Sequence, residues 1–178
     1  MAASPLPPQQ HDLPARIDRV NQGAGWLARW SILLMLALGA WNVVGRYVGL
    51  SLGMNLSSNA LIEGQWLLFS VAFLLGMGWT LQRNGHVRID VLSSRWSERR
   101  RLRMELSGTL ALLLPFALVM LLVSVEPALQ SWRIQEASPD PDGLPRYWAK
   151  SLIPVGFLLL SLQGVAAALR ARRSLEQR

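Results

Sequence analysis

Cysteine is absent from this 178-residue chain, and histidine is almost absent. Without cysteine there is no disulfide, no thiol nucleophile and no cysteine-ligated metal. The two histidines, His11 and His86, lie outside the long apolar runs, so they provide neither a haem site between membrane helices nor a Ser-His-Asp arrangement. The chain also lacks a glycine-rich phosphate-binding loop. We therefore expect no enzymatic activity, no cofactor and no metal site.

Long hydrophobic runs, by contrast, are abundant. Four runs of 18 to 22 residues extend over Trp30–Leu50, Ala60–Leu81, Leu106–Val125 and Leu152–Leu169. A helix of about 20 residues crosses a hydrocarbon core of roughly 30 Å, and its backbone satisfies its own hydrogen bonds in lipid. The runs lack the two-residue alternation of a membrane β-barrel. They predict an all-α integral membrane protein, with a single membrane domain at 13–178 and four transmembrane helices at about 28–50, 58–82, 105–128 and 150–170.

Basic residues are distributed unevenly around these runs. Of the 18 Lys and Arg residues, 14 lie before the first run, between the second and third, or after the fourth. The other four belong to the opposite side: Arg46 near the end of the first run, and three residues between the third and fourth runs. Because the loops are short, the positive-inside rule applies. We expect both termini and the 83–105 loop in the cytoplasm, and the 51–59 and 132–149 loops outside. The net charge of +7 then favours membrane lipid over nucleic acid as a partner.

The segment before the first run divides into two parts. Residues 1–12 are rich in proline and are predicted to be disordered. In residues 13–27, apolar side chains recur at helical spacing opposite a polar face, which predicts an amphipathic helix at the cytoplasmic membrane interface. The alternative is an irregular extension of the first membrane helix, since Gly23 and Gly25 weaken a regular continuation.

Two charged residues lie on either side of the connection between the first two runs. Arg46 is near the end of the first run, and Glu63 is near the start of the second. A charge close to the hydrocarbon core is costly, so each side chain needs a partner or a path to the headgroups. Three arrangements remain open: a pair between Arg46 and Glu63, a pair with a neighbouring protein, or independent extension into the headgroups.

Two prolines fall inside the last two runs. Pro115 lies in the middle of the third run, where it would kink the helix. Pro154 lies near the start of the fourth run, where we expect it to occupy the tolerated first turn.

One stretch after the second run is unusually specific. The run contains Glu63 and ends at a turn-prone Asn-Gly, and residues 83–92 read Arg-Asn-Gly-His-Val-Arg-Ile-Asp-Val-Leu. This layout resembles the small permease subunit of tripartite ATP-independent periplasmic (TRAP) transporters, the DctQ type, which carries a similar Glu and a His-Val-Arg-Val-Asp-like signature. The segment 144–164, with Ile-Pro-Val-Gly-Phe at 153–157, is similar to the family's fourth helix. The resemblance covers about residues 26–170.

The resemblance implies a function. In that family a large permease subunit carries the sodium and substrate sites, a periplasmic binding protein delivers an organic acid, and the small subunit is a scaffold in the bacterial inner membrane. By family position, the residues expected to bind a partner are Glu63, His86, Arg88 and Asp90, to which the charge argument adds Arg46. Arg88 and Asp90 alternatively pair with each other or with neighbouring arginines at the interface.

Two other functions remain open from the residues themselves. One is a self-sufficient four-helix exporter acting as a homodimer, which would need an acidic residue deep in the bundle. Glu63 is the only candidate, and it lies near the end of its helix. The other is an assembly subunit of a respiratory complex.

Overall fold

The computed structural model describes residues 13–85 and 96–177 of the chain. These parts contain four long helices. All four are long and apolar enough to cross a membrane, which confirms the predicted all-α membrane fold. The four helices are Leu13–Leu52 (α1), Asn59–Gln82 (α2), Glu98–Arg133 and Tyr147–Glu176 (α5). The third of them is divided into Glu98–Gly108 (α3), a π-helical turn at Thr109–Leu113, and Leu114–Arg133 (α4).

Polar residues delimit α2 at both ends. At its start, the Ser58 hydroxyl accepts a hydrogen bond of 3.4 Å from the Leu61 backbone N–H, as expected for a helix N-cap. Past its end, Asn84 has a φ of 52°. Asparagine tolerates this left-handed conformation better than most residues. The turn predicted at Asn84-Gly85 is therefore confirmed.

Helix α5 lies at the centre of the bundle. It contacts α1, α2 and α4, and α1 and α2 also pack against each other. In its most apolar 18-residue window, 44% of the residues are buried, against 6–17% in the other three long helices. The fourth predicted membrane helix is thus the one around which the others pack.

Small side chains form much of the buried interior. Ala117 and Ala166 are completely buried, and Ala24 packs with Leu75 and Leu159 in one of two small apolar clusters. Large apolar side chains on the outside of the bundle remain exposed. This pattern is typical of membrane helices, which approach closely through small residues and turn larger ones toward lipid or another subunit.

The first helix corrects the prediction of a separate interfacial helix. Residues 13–27 are continuous with the membrane helix, and no break occurs at Gly23 or Gly25. Ile17 and Ala24 are buried, whereas Val20 is 55% exposed, so the apolar stripe is divided between the bundle and its surroundings. Packing against the bundle explains the continuity. At about 60 Å, α1 is about twice as long as the hydrocarbon core is thick.

The prolines differ in their effects. Immediately before Pro115, the helix widens into the π-helical turn, in which the Leu114 N–H bonds to the Thr109 carbonyl. A widened turn relieves the clash between the proline ring and the backbone carbonyl of the residue four positions before it. Pro154 is the eighth residue of α5, so the expectation that it occupies the first turn was wrong. Helix α5 begins at Tyr147, before the apolar run, and this places the proline in the interior.

Candidate functional site

The loop between α4 and α5, residues 134–146 (the α4–α5 loop), is held against the beginning of α2 by Glu63. One oxygen of the Glu63 carboxylate accepts a hydrogen bond from the Ser138 hydroxyl, and the other accepts one from the Leu144 backbone N–H. A Cβ atom at Gly143 would lie 2.7 Å from the carboxylate, so the loop backbone approaches it closely. Glu63 therefore joins the two arms of the loop to one membrane helix.

A second carboxylate stabilises the base of the same loop. Glu136 accepts a hydrogen bond of 2.5 Å from the Lys150 ammonium, and its backbone carbonyl accepts one of 2.9 Å from the Arg146 N–H. The Lys150 hydrogen bond, assisted by the positive charges of Lys150 and Arg146, lowers the pKa of Glu136 below its ordinary value. The ionised pair thus joins the loop to the first turn of α5.

The acidic apex of the loop is left exposed. Asp140 and Asp142 lie on the surface, and Asp142 adopts a φ of 58° in the Asp-Gly turn. Asn59 at the start of α2 donates a hydrogen bond of 3.0 Å to the Pro141 carbonyl beneath them. The loop is thereby attached to α2 at two points, Asn59 and Glu63.

Arg46 stands apart from this arrangement. Both Arg46 and Glu63 are among the described residues, and no ion pair joins them. Arg46 is exposed on α1, next to Tyr47, which is 71% exposed. Of the three arrangements considered from the sequence, the Arg46–Glu63 pair is therefore wrong. The two other arrangements, contact of the Arg46 guanidinium group with a partner protein or with the lipid headgroups, remain open.

The other three predicted site residues cannot be placed. His86, Arg88 and Asp90 lie outside the described residues. The signature that they form therefore stays a prediction from sequence.

A polar cluster at the opposite end of the bundle was missed by the sequence analysis. Asp18 accepts a hydrogen bond of 3.0 Å from the Gln163 amide and pairs with the Arg170 guanidinium at 2.9 Å. The Gln163 oxygen accepts a hydrogen bond of 2.9 Å from the Asn21 amide, and both Asn21 and Gln163 are completely buried. These four residues (the α1–α5 polar cluster) fix the N-terminal part of α1 to α5.

The spacing of these residues contains a signal that could have found the cluster. Asp18 and Asn21 are three residues apart, and Gln163 and Arg170 are seven apart, so each pair lies on one face of its helix. Asp18 belongs to the polar face predicted for residues 13–27, and nothing in that segment indicates that it meets Gln163, which is 145 positions away.

Together, the long helices and the polar groups that bond to one another define a class of protein: a multi-pass membrane protein built around a central helix. Its described carboxylates at Glu63, Glu136 and Asp18 are used to hold the chain's own elements together.

Comparison with protein families identifies the particular one. Residues 35–174 match the family model described as tripartite ATP-independent periplasmic transporters, DctQ component. The match includes residues 35–52 of α1, the whole of α2, α3 and α4, and nearly all of α5. The chain therefore belongs to this family, whose members are components of tripartite transporters. Comparisons with curated proteins and with solved structures found no match.

Proposed function

We propose that this chain is the small transmembrane scaffold subunit of a sodium-coupled importer of organic acids. In this importer it supports a large permease subunit, to which a periplasmic binding protein delivers the organic acid. The observation that carries the proposal is the family match over residues 35–174. The arrangement of charges supports it, because Asp18 and Glu136 each face a basic partner within the chain. Charges used in this way stabilise a rigid body.

Partner contact is proposed for the residues that the sequence singled out. Arg46 is exposed on α1 at the level of the apolar run, where an unpaired charge is costly, so an acidic group on the large subunit would stabilise it. His86, Arg88 and Asp90 are assigned the same role by family position. Glu63 has partners in its own chain, and we assign it the positioning of the α4–α5 loop for contact with the other components.

The proposed location is the bacterial inner membrane, with both termini in the cytoplasm. The supporting observation is the 14-to-4 distribution of basic residues. Since the chain has no cysteine, single cysteines report sidedness without background. In intact cells, Asn55→Cys should react with a membrane-impermeant maleimide, whereas Gln177→Cys should react only after permeabilisation. Labelling of the second position from outside would reverse the proposed topology.

Reconstitution into liposomes tests the scaffold function. Alone, the chain should show neither sodium-dependent uptake nor saturable binding of organic acids, and uptake should appear when the large subunit and the binding protein are added. Arg46→Gln should lower the yield of the assembled complex. Arg133→Gln is the matched control, because Arg133 is an exposed arginine that pairs at 3.4 Å with Glu126 of its own helix.

The alternatives give different results in the same experiments. Ion-driven transport by the purified chain alone would contradict the scaffold function and favour the small exporter. Purification with respiratory subunits in place of the permease would favour the assembly subunit.

A further inference from the structure

Trp79 of α2 contacts two arginines at one end of the bundle. Its indole ring packs on α1 at Gly25, where an added Cβ would come within 2.3 Å of the ring. The guanidinium carbons of Arg29 and Arg83 lie 5.4 Å and 5.8 Å from the centroid of the Trp79 ring, within the range of cation–π contacts. One aromatic ring thus contacts two cations, one on α1 and one just past the end of α2.

Both arginines lie at the same boundary of the apolar runs. Arg29 immediately precedes the first run, and Arg83 follows the end of the second at Leu81. Because α1 and α2 are consecutive helices packed against each other, these two boundaries meet. The pair is therefore at the level of the lipid headgroups, at the end of the bundle that carries most of the basic residues.

Two carboxylates lie near this pair without forming an ion pair with it. Arg29 donates a hydrogen bond of 3.3 Å to the Gly25 carbonyl, and neither Arg29 nor Arg83 forms an ion pair with a described carboxylate. Asp18 and Glu105 border the same cleft as Arg83, but Asp18 is paired with Arg170 and Glu105 has an interaction of its own. Two guanidinium groups on one ring repel each other, and an anion between them would remove the repulsion.

An apolar surface adjoins the basic pair. Trp26 and Trp30, one helical turn apart on α1, are 54% and 56% exposed, and their ring centroids are 6.0 Å apart. Tryptophan at this depth is typical of the membrane interface, where the ring contacts both acyl chains and headgroups. A ligand with a phosphate and an acyl chain matches both parts of this surface.

We propose that Arg29, Arg83 and Trp79 form a binding site for the phosphate of an anionic phospholipid, with Trp26 and Trp30 beside its acyl chains. Guanidinium groups bind phosphate through paired, charge-assisted hydrogen bonds. Trp79 is the positioning residue, because it holds the two arginines together. The site depends only on the membrane-spanning fold and is independent of the scaffold function proposed above.

Native mass spectrometry of the full chain in a non-ionic detergent tests the site, because such a micelle has no anionic surface of its own. The probes are dioleoyl phosphatidylglycerol and, as the zwitterionic control, dioleoyl phosphatidylcholine. The unaltered protein should bind phosphatidylglycerol more tightly. Replacing both arginines (Arg29→Gln with Arg83→Gln) should weaken that binding by about 30-fold, the loss expected when hydrogen bonds to a charged phosphate are removed. Inorganic phosphate, which lacks acyl chains, should not displace the lipid.

The matched control removes two other arginines from the same end of the chain. Arg16→Gln with Arg19→Gln lowers the net charge equally, and both residues are exposed on α1, so this variant should retain the affinity of the unaltered protein. Arg29→Lys with Arg83→Lys keeps the charge and should have intermediate affinity, because lysine cannot bind phosphate bidentately. This variant tests the site even if the glutamine pair does not fold.

Three results would overturn the proposal. Equal losses in the two glutamine variants would mean general attraction to charge. Equal affinity of the lysine variant and the unaltered protein would mean that the guanidinium geometry has no role. Unchanged lipid affinity in the Arg29/Arg83 variant, with weaker association with the large subunit, would identify a protein carboxylate as the occupant.

Discussion

Gly78 is the position where adding one methyl group should most directly disturb the α1–α5 polar cluster. A Cβ atom there would lie 2.0 Å from the Asn21 amide oxygen and 3.1 Å from the Leu159 carbonyl oxygen. Asn21 is completely buried and donates to Gln163 at 2.9 Å. In Gly78→Ala the asparagine must therefore move, and its hydrogen bond to Gln163 must stretch or break.

The size of the effect follows from three terms. Overpacking costs about 1–3 kcal/mol, and leaving the buried Gln163 oxygen without a donor costs about 1–3 kcal/mol. The higher helix propensity of alanine returns up to about 1 kcal/mol. We expect Gly78→Ala to lower the free energy of unfolding by about 3 kcal/mol, the middle of the range that these terms allow.

A second substitution separates the clash from other causes. Asn21→Ala alone should destabilise the protein by about 1–3 kcal/mol, because Gln163 loses its donor. In the double variant, the new methyl occupies space that the amide has left, and the Leu159 carbonyl remains as the tight contact. The double variant should therefore be more stable than the sum of the single effects indicates, by about 1–2 kcal/mol.

Gly76→Ala is the matched control two residues away on the same helix. Its added Cβ would meet the Ala28 Cβ at 3.7 Å, an ordinary contact, so we expect no loss of stability. Unfolding of the unaltered protein and the four variants in mixed micelles of rising sodium dodecyl sulfate fraction, followed by far-ultraviolet circular dichroism, measures the differences. Equal stability of Gly78→Ala and Gly76→Ala, or additive effects of the Gly78 and Asn21 substitutions, would refute the proposed clash between the added Cβ atom at position 78 and Asn21.

Two further predictions concern the α4–α5 loop. Glu63→Gln should speed tryptic cleavage after Arg146, because a neutral amide binds the Ser138 and Leu144 donors less strongly than a carboxylate does. Glu126→Gln, which changes the exposed ion pair with Arg133, should leave the cleavage rate unchanged. Equal cleavage rates in the two variants would contradict the role of Glu63. The pKa of Glu136 is lower in the folded protein than the ordinary carboxyl pKa of 4.5. The ion pair of Glu136 with Lys150 therefore stabilises the fold fully above pH 4.5, and this stabilisation is lost as the pH falls through the lowered pKa. Thermal unfolding between about pH 6 and about pH 3 should show this loss, and Lys150→Met should reduce it; an unchanged pH dependence in that variant would rule out the pair as its cause.

The sequence by itself determined the class of protein and the number of helices. Transfer of an apolar run into lipid and the satisfaction of backbone hydrogen bonds within a helix are local properties, so run length alone predicted four membrane helices. Local backbone chemistry likewise predicted the turn at Asn84-Gly85, where the asparagine adopts a positive φ. The family resemblance was also readable from short motifs, and the match over residues 35–174 confirmed it.

Only the tertiary structure decided which helix is central, where the first helix begins and what the polar side chains contact. Asp18 and Gln163 are 145 positions apart, and Glu63 meets Ser138 across 75 positions. The spacing within one helix shows only which polar residues share a face; the residues that they meet depend on how separate helices pack. Residues 13–27 show the same limit. Their apolar stripe suits a membrane surface or a neighbouring helix equally, and only packing against α5 and Trp79 made them part of one continuous helix.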